Sequence, residues 1–147
     1  MAHFGFSLLI LSILLNNLFS SEIITNLKVG ETFSSPNIKI ALKSINQRQE
    51  KNYKSIVTNF SIENLNGTIE DLSPELRIYN QPNIVTSEAD IKTTLLSDKF
   101  IVINLVQNQD YFNVRYQIKP FMLWIWISVL LISLGGLICF YKKEYEK

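Results

Sequence analysis

One uncharged apolar run, from Phe121 to Phe140, constrains the fold of this chain more than any other feature. It contains no residue more polar than serine. At about 1.5 Å of rise per residue, a helix of this length matches the roughly 30 Å of hydrocarbon in a bilayer. The run therefore predicts a transmembrane helix within residues 119–141, with Trp124 and Trp126 at one membrane interface.

The residues that flank this run favour the same assignment. Pro120 precedes it, at the start of a first helical turn, where a missing N–H is tolerated. Tyr141 lies at the other end, and residues 142–147 form a short basic tail. Basic residues beside a span favour the cytoplasmic or matrix side, although Lys119 and other basic residues at the opposite end make the preference mild.

The chain also opens with an apolar segment, which predicts a first transmembrane helix within residues 1–21, over about Phe4 to Phe19. A cleavable signal peptide is the alternative. It is disfavoured because no Lys or Arg precedes the apolar stretch and no A-x-A pattern precedes Glu22. Two retained helices place both termini on one side of the membrane and the segment between them on the other.

Residues 22–118 change character and predict a small all-β domain, an antiparallel sheet or barrel. Alternating β-branched runs predict strands at five places, and Gly, Pro and Asn residues separate them. A short helix from Glu88 to Thr94 is a weaker alternative. The predicted strands are 38–42, 55–62, 75–79, 99–105 and 111–118, with turns at 35–37, 66–68, 81–83 and 107–110.

Composition excludes several function classes. The formal net charge is +1 and no basic stripe is present, which argues against nucleic-acid binding. Neither a nucleophile elbow nor a phosphate-binding glycine loop occurs, and the carboxylates are spaced as on a solvated surface. Cys139 is the single cysteine, so a disulfide framework is excluded.

His3 is the single histidine of the chain and stands in the first apolar segment. An ionisable side chain in or beside hydrocarbon is costly, so its presence is a functional hypothesis by default. Neutral imidazole suits such a place and ligates haem iron or other metals. The competing interpretation is an interfacial residue near a helix end with no ligand.

Several short motifs resemble, in the same order along the chain, the carboxyl-terminal portion of the cytochrome c-type biogenesis protein CcmF, the haem lyase component of a maturation system. The resemblance is most specific where V-R-x-x-x-K-P-F is followed by W-I-W and a later glycine pair. It covers nearly the whole chain and is weakest between Ser35 and Asn66. The segments that carry it are 2–5, 72–79, 87–91, 114–121, 124–126 and 134–137.

The resemblance implies a role for His3, as one axial ligand of a membrane-embedded haem b. It implies a bacterial or mitochondrial inner membrane, with the β domain in the periplasm or intermembrane space. Full-length family members have more helices, a tryptophan-rich haem-handling segment and three further functional histidines. A larger amino-terminal CcmF-like chain would therefore supply the second ligand, and other maturation components and apocytochrome c would be further partners.

Under this interpretation the chain is one part of a split haem lyase and is not catalytic alone. Arg115, Lys119, Pro120, Trp124 and Trp126 would then serve docking and helix placement at the membrane interface. A decayed remnant of such a protein is one alternative. Another is a single-pass or signal-anchored binding protein with a β ectodomain and no haem.

Overall fold

The computed structural model describes residues 1–106 and 110–145, with side chains as far as residue 141. Within these residues, two helices bracket ten strands. The elements are α1 (Ala2–Phe19), β1 (Ser21–Leu27), β2 (Thr32–Ser35), β3 (Ile38–Gln49), β4 (Tyr53–Asn64), β5 (Ile69–Leu72), β6 (Glu75–Asn80), β7 (Asn83–Glu88), β8 (Asp90–Thr93), β9 (Ser97–Leu105), β10 (Phe112–Pro120) and α2 (Met122–Tyr145).

These elements form two compact units. The helix unit comprises residues 1–21, 93–98 and 118–147, and the β unit comprises residues 22–92 and 99–117. The helix unit thus contains both helices, together with the short connection between β8 and β9.

The two helices of the helix unit pack side by side in opposite directions. Near one end, a methyl group built on Gly135 of α2 would lie 2.6 Å from the backbone nitrogen of Ala2. Near the other end, the Asn16 side-chain amide donates a hydrogen bond of 2.6 Å to the carbonyl oxygen of Pro120. Small residues allow this close approach, because they keep side-chain volume out of the contact between the helices.

The β unit is built from two sheets. One has the strand order β1-β10-β9-β8, and the other has the order β2-β3-β4-β6-β7, with β5 also paired to β4. In the second sheet all described pairings are antiparallel. The longest ladder joins β3 to β4 over twelve-residue strands, with one register shift between Leu42 and Ser44.

Side chains from both sheets form the core of the β unit. Inward residues alternate along β3 and β10, as expected for strands with one buried face. The core includes Leu27, Ile40, Leu42, Phe60, Ile62, Leu76, Ile101, Ile103, Val114 and Tyr116, each at most 3% exposed.

The predicted fold class is confirmed, with two apolar helices bracketing one all-β domain. All five predicted strands occur, and three predicted turns lie between strands. The fourth turn, at residues 107–110, lies largely outside the described residues. The helical alternative for Glu88 to Thr94 is wrong, because these residues belong mainly to β7 and β8.

Pro120 also differs from its predicted place in a first helical turn. It is the last residue of β10, and the chain turns at Phe121, whose φ of 60° is in the left-handed region, before α2 begins at Met122. Proline has no N–H to donate to a sheet ladder, so it is tolerated at the end of a strand. One residue therefore converts the strand directly into the helix.

Candidate functional site

His3 lies in the first turn of α1 and its side chain is exposed. Its neighbours Ala2 and Gly5 face α2, whereas His3 projects from the part of the helix that α2 does not cover. The Ser7 hydroxyl donates a hydrogen bond of 3.0 Å to the His3 carbonyl oxygen, one turn along. The imidazole is thus free to meet a group that approaches the outer face of the helix pair.

The packing of the helices also sets how deep His3 lies in the apolar span. Ala2 lies against Gly135, and the apolar span of α2 continues to Tyr141. Six residues of helix separate Gly135 from Tyr141, a distance of about 9 Å at the normal rise per residue. In a bilayer that accommodates α2, the backbone beside His3 would therefore lie below the interface, on the hydrocarbon side.

The surroundings of His3 are suited to one ligand of a large apolar cofactor. Phe6 and Ile10 follow it on α1 at helical spacing, with exposed fractions of 57% and 46%. Such a surface can cover a porphyrin edge while the imidazole reaches the iron. Among the described residues, no cluster of three or more His, Cys, Asp and Glu side chains could hold a metal ion. The sequence contains no second histidine, so His3 is the one imidazole that the helix unit can offer to a metal-containing group.

A second group of candidate residues lies where β10 becomes α2. Lys119 is half-buried, Pro120 is buried, and the exposed Trp126 projects from the first turns of α2. The Trp124 indole Nε1–H donates a hydrogen bond of 3.0 Å to the carbonyl oxygen of Leu95. Lys119 and the tryptophans thus lie near the start of the apolar span, where amphipathic side chains favour the interface.

Arg115, in contrast, belongs to the β unit. It is exposed in the middle of β10, and its Nε atom lies 2.8 Å from a carboxylate oxygen of Glu22 in β1. A pair with half-exposed side chains contributes little stability, typically below about 1 kcal/mol. The structure therefore joins Arg115 to a neighbouring strand of the β unit, whereas the other predicted placement residues belong to the helix unit.

The segment 72–79, one of those that resemble the family, forms a charged and aromatic cluster on β6. Arg77 pairs with Glu75, and that hydrogen bond raises the pKa of the guanidinium, which stays charged. The guanidinium also lies 5.3 Å from the ring centre of Tyr53, which packs against Tyr79. Alternate residues of a strand share one face, so this motif builds one structural cluster.

Sequence reasoning missed two polar features that the structure brings out. The Asn16 amide joins the end of α1 to Pro120, and Ser12 and Ser128 are buried in the helix unit. The Ser128 hydroxyl donates a hydrogen bond of 2.6 Å to the Trp124 carbonyl oxygen. The signal was present in the sequence, since small and polar residues in an otherwise apolar span commonly mark a helix contact.

Known proteins resemble this chain along most of its length. The family model of the CcmF C-terminal β-sandwich matches residues 18–120. The cytochrome c-type biogenesis protein CcmF of Haemophilus influenzae is 26% identical over 146 residues, which cover 99% of this chain and 22% of that protein. The cytochrome c-type biogenesis protein ccl1 of Rhodobacter capsulatus is 29% identical over 119 residues, covering 81% of this chain and 18% of that protein.

The fold is shared with a solved structure as well. The cytochrome c haem lyase CcmF aligns with a TM-score of 0.68 and 16% identity, over 92% of this chain and 23% of that one. The chain thus spans about a fifth of the length of the curated relatives it matches.

Proposed function

Because the chain belongs to the family of the CcmF C-terminal β-sandwich, we propose that it is the carboxyl-terminal component of a cytochrome c haem lyase assembly. In this role it contributes one haem b ligand and an exported β domain to c-type cytochrome maturation. The observation that carries the proposal is the position of His3, exposed on an apolar helix face and about 9 Å inside the end of the α2 span.

The second ligand comes from a larger chain that carries the rest of the family's length. The helix unit has an outer surface suited to such a partner, because Phe4, Ile10 and Leu18 remain exposed along the helix that carries His3. Apolar contact with the partner would enclose the haem, and metal ligation offsets the cost of placing the imidazole nitrogen in hydrocarbon. When bound, the haem supplies one-electron transfer.

His3 in this scheme is a ligand and performs no thioether chemistry. Its role requires a neutral imidazole with one nitrogen free to bind iron. The β domain, on the periplasmic or intermembrane-space side, would meet the maturation components and apocytochrome c. The close packing of α1 on α2 supports a retained first helix, as this placement requires.

The test is the reduced-minus-oxidised spectrum of this chain co-expressed and purified with its larger partner. We expect a low-spin b-type signal that is lost in His3→Ala and retained in the matched control Ser7→Ala, one turn along the same helix. Imidazole added to His3→Gly should restore part of the signal. An unchanged signal in His3→Ala, with normal co-purification, would remove the ligand assignment.

The placement residues are tested separately. Trp126 is 63% exposed in the first turns of α2, so truncating it removes an interfacial anchor and leaves the helix core intact. We expect Trp126→Ala to lower the amount of assembled complex, with each assembled complex keeping its haem. Leu134→Ala, at a deeper exposed position, is the control. Full assembly without haem in Trp126→Ala would refute the placement role.

A further inference from the structure

The connection between β8 and β9 carries two adjacent exposed leucines. We call residues Thr94–Ser97 the β8–β9 tip. Leu95 and Leu96 are each 62% exposed. Single exposed leucines are ordinary on a protein surface, but two in succession at the end of a hairpin require a reason.

The β8–β9 tip is bonded to the beginning of α2 by two hydrogen bonds. The Phe121 N–H donates to the Leu96 carbonyl oxygen at 2.8 Å, and the Trp124 indole donates to the Leu95 carbonyl oxygen at 3.0 Å. The apolar span of α2 starts at Met122. The tip therefore lies level with the first turn of the span.

Most backbone polar groups of the tip also have hydrogen-bond partners within the helix unit. The Thr94 N–H and hydroxyl both donate to the Ser97 carbonyl oxygen, at 3.0 and 2.7 Å. The Ser97 N–H in turn donates to the Thr94 hydroxyl oxygen at 3.1 Å. With the two bonds to α2, at least five of the eight backbone polar groups have partners.

Such bonding allows the tip to enter lipid. A loop in water can leave its N–H and C=O groups to the solvent, whereas a loop that enters a bilayer must satisfy most of them within the protein. The tip combines backbone polar groups that mostly have partners with two apolar side chains. Its surface is also continuous with the start of α2, where Trp126 is exposed.

We propose that the β8–β9 tip is a third membrane contact, in which Leu95 and Leu96 insert among lipids at the interface beside α2. The contact holds the start of α2 at a fixed depth through the bonds to Phe121 and Trp124. The proposal requires α2 to span a bilayer but does not depend on haem or on the lyase assembly.

Depth-dependent fluorescence quenching tests this contact on the full chain in phosphatidylcholine vesicles. In a Cys139→Ser background, an environment-sensitive dye is attached to Leu95→Cys or Leu96→Cys. The matched control is Leu65→Cys, which is 71% exposed at the β4–β5 turn of the β unit. We expect blue-shifted emission and quenching by lipid nitroxides at both tip positions, with iodide quenching several-fold weaker than at residue 65.

Two results would overturn the proposal. Iodide quenching at the tip equal to that at residue 65 would place the leucines in water, and protection from both quenchers would bury them in protein. Circular dichroism of each labelled chain establishes that the β domain is folded. A missing haem signal with normal lipid quenching would count against the proposed function and leave this contact standing.

Discussion

The two units of the molecule bury opposite kinds of side chain. The largest fully buried side chains of the β unit include Tyr116 and Phe60. In the helix unit the buried positions include Gly5, Ser12 and Ser128, while large apolar residues point outward. Phe4, Leu18 and Phe140, for example, are 67%, 73% and 67% exposed.

This contrast reflects two different surroundings. The β unit gains stability by removing large apolar side chains from water. The helix unit gains little from that effect in lipid, so close packing of small residues holds its helices together. Its outer surface needs lipid or a partner chain, and His3 lies on that surface.

Truncating one phenylalanine in each unit should give the largest difference. We expect Phe60→Ala, at a fully buried position, to lower the free energy of unfolding by about 3 to 5 kcal/mol through lost burial and a cavity. Phe140→Ala should change it by less than about 0.5 kcal/mol. Thermal unfolding of the full chain in detergent, followed by circular dichroism, measures both. Equal losses of stability in the two variants would contradict the contrast between the units.

Enlarging a buried glycine should selectively weaken the helix unit. A methyl group on Gly5 would lie 3.0 Å from Ile132 Cγ1 and 3.1 Å from the Ile132 backbone nitrogen, whereas one on Gly136 would meet nothing within 4 Å. We expect Gly5→Leu to cost about 1 to 3 kcal/mol in helix packing, and Gly136→Leu to cost little. Crosslinking between cysteines placed on the two helices reports whether α1 and α2 remain in contact. Efficient crosslinking in Gly5→Leu would contradict the packing described.

An ion pair in the β unit sharpens the comparison, since it is mostly shielded from solvent. The Lys99 ammonium donates to both carboxylate oxygens of Glu70, at 3.0 and 2.9 Å, and both side chains are less than a fifth exposed. We expect Lys99→Met to cost about 1 to 2 kcal/mol by leaving Glu70 with only the more distant ammonium of Lys92, 3.8 Å away. Lys39→Met, from an exposed pair with Glu63, should cost below about 1 kcal/mol. Urea unfolding measures both losses. Similar losses of stability in the two variants would show that the burial of the Lys99–Glu70 pair does not increase its contribution.

The smallest expected effect concerns the Tyr116 hydroxyl. Burial, with a smaller contribution from the charge of Glu70, raises the pKa of Tyr116 above its usual value of about 10. The unfolded chain therefore loses this proton first, and stability falls as the pH rises above about 10, by at most about 1.4 kcal/mol per pH unit. Below that pH the contribution is complete.

Tyr116→Phe should show a shallower alkaline loss. At pH 7 its stability should be within about 1 kcal/mol of the parent, because the hydroxyl has no hydrogen-bond partner among the described residues. Urea unfolding of both chains from pH 7 to 12 measures the difference. If stability fell with pH equally in both chains, the buried phenol of Tyr116 would not be the cause of the alkaline loss.

Strands with a buried face were predictable, and most of the short exposed strands were not. The alternating pattern of β3, β4 and β10 reflects burial on one side. In β7 and β8 every residue is exposed or half-buried, so the pattern is absent. Pairing decided these segments, since Glu88 lies opposite Glu75 of β6 and backbone bonds to a neighbouring strand override weak local preference.

The candidate site divides in the same way. His3 was identified from its residue type and apolar surroundings, and the tryptophans from their place at the start of a span. Its exposure and depth depend on contacts with α2 that local sequence does not encode. The β8–β9 tip was missed, because Leu95 and Leu96 gain significance from bonds to residues 29 and 25 positions later.

The sequence by itself determined two apolar helices, the all-β segment between them and the single histidine, because composition and periodicity are local properties of the chain. Tertiary structure decided which side of α1 remains open, where the tip lies and how Pro120 leads into α2. These features depend on backbone approach and on hydrogen bonds between residues far apart in the chain. Gly5 against Ile132 and Leu95 against Trp124 are examples.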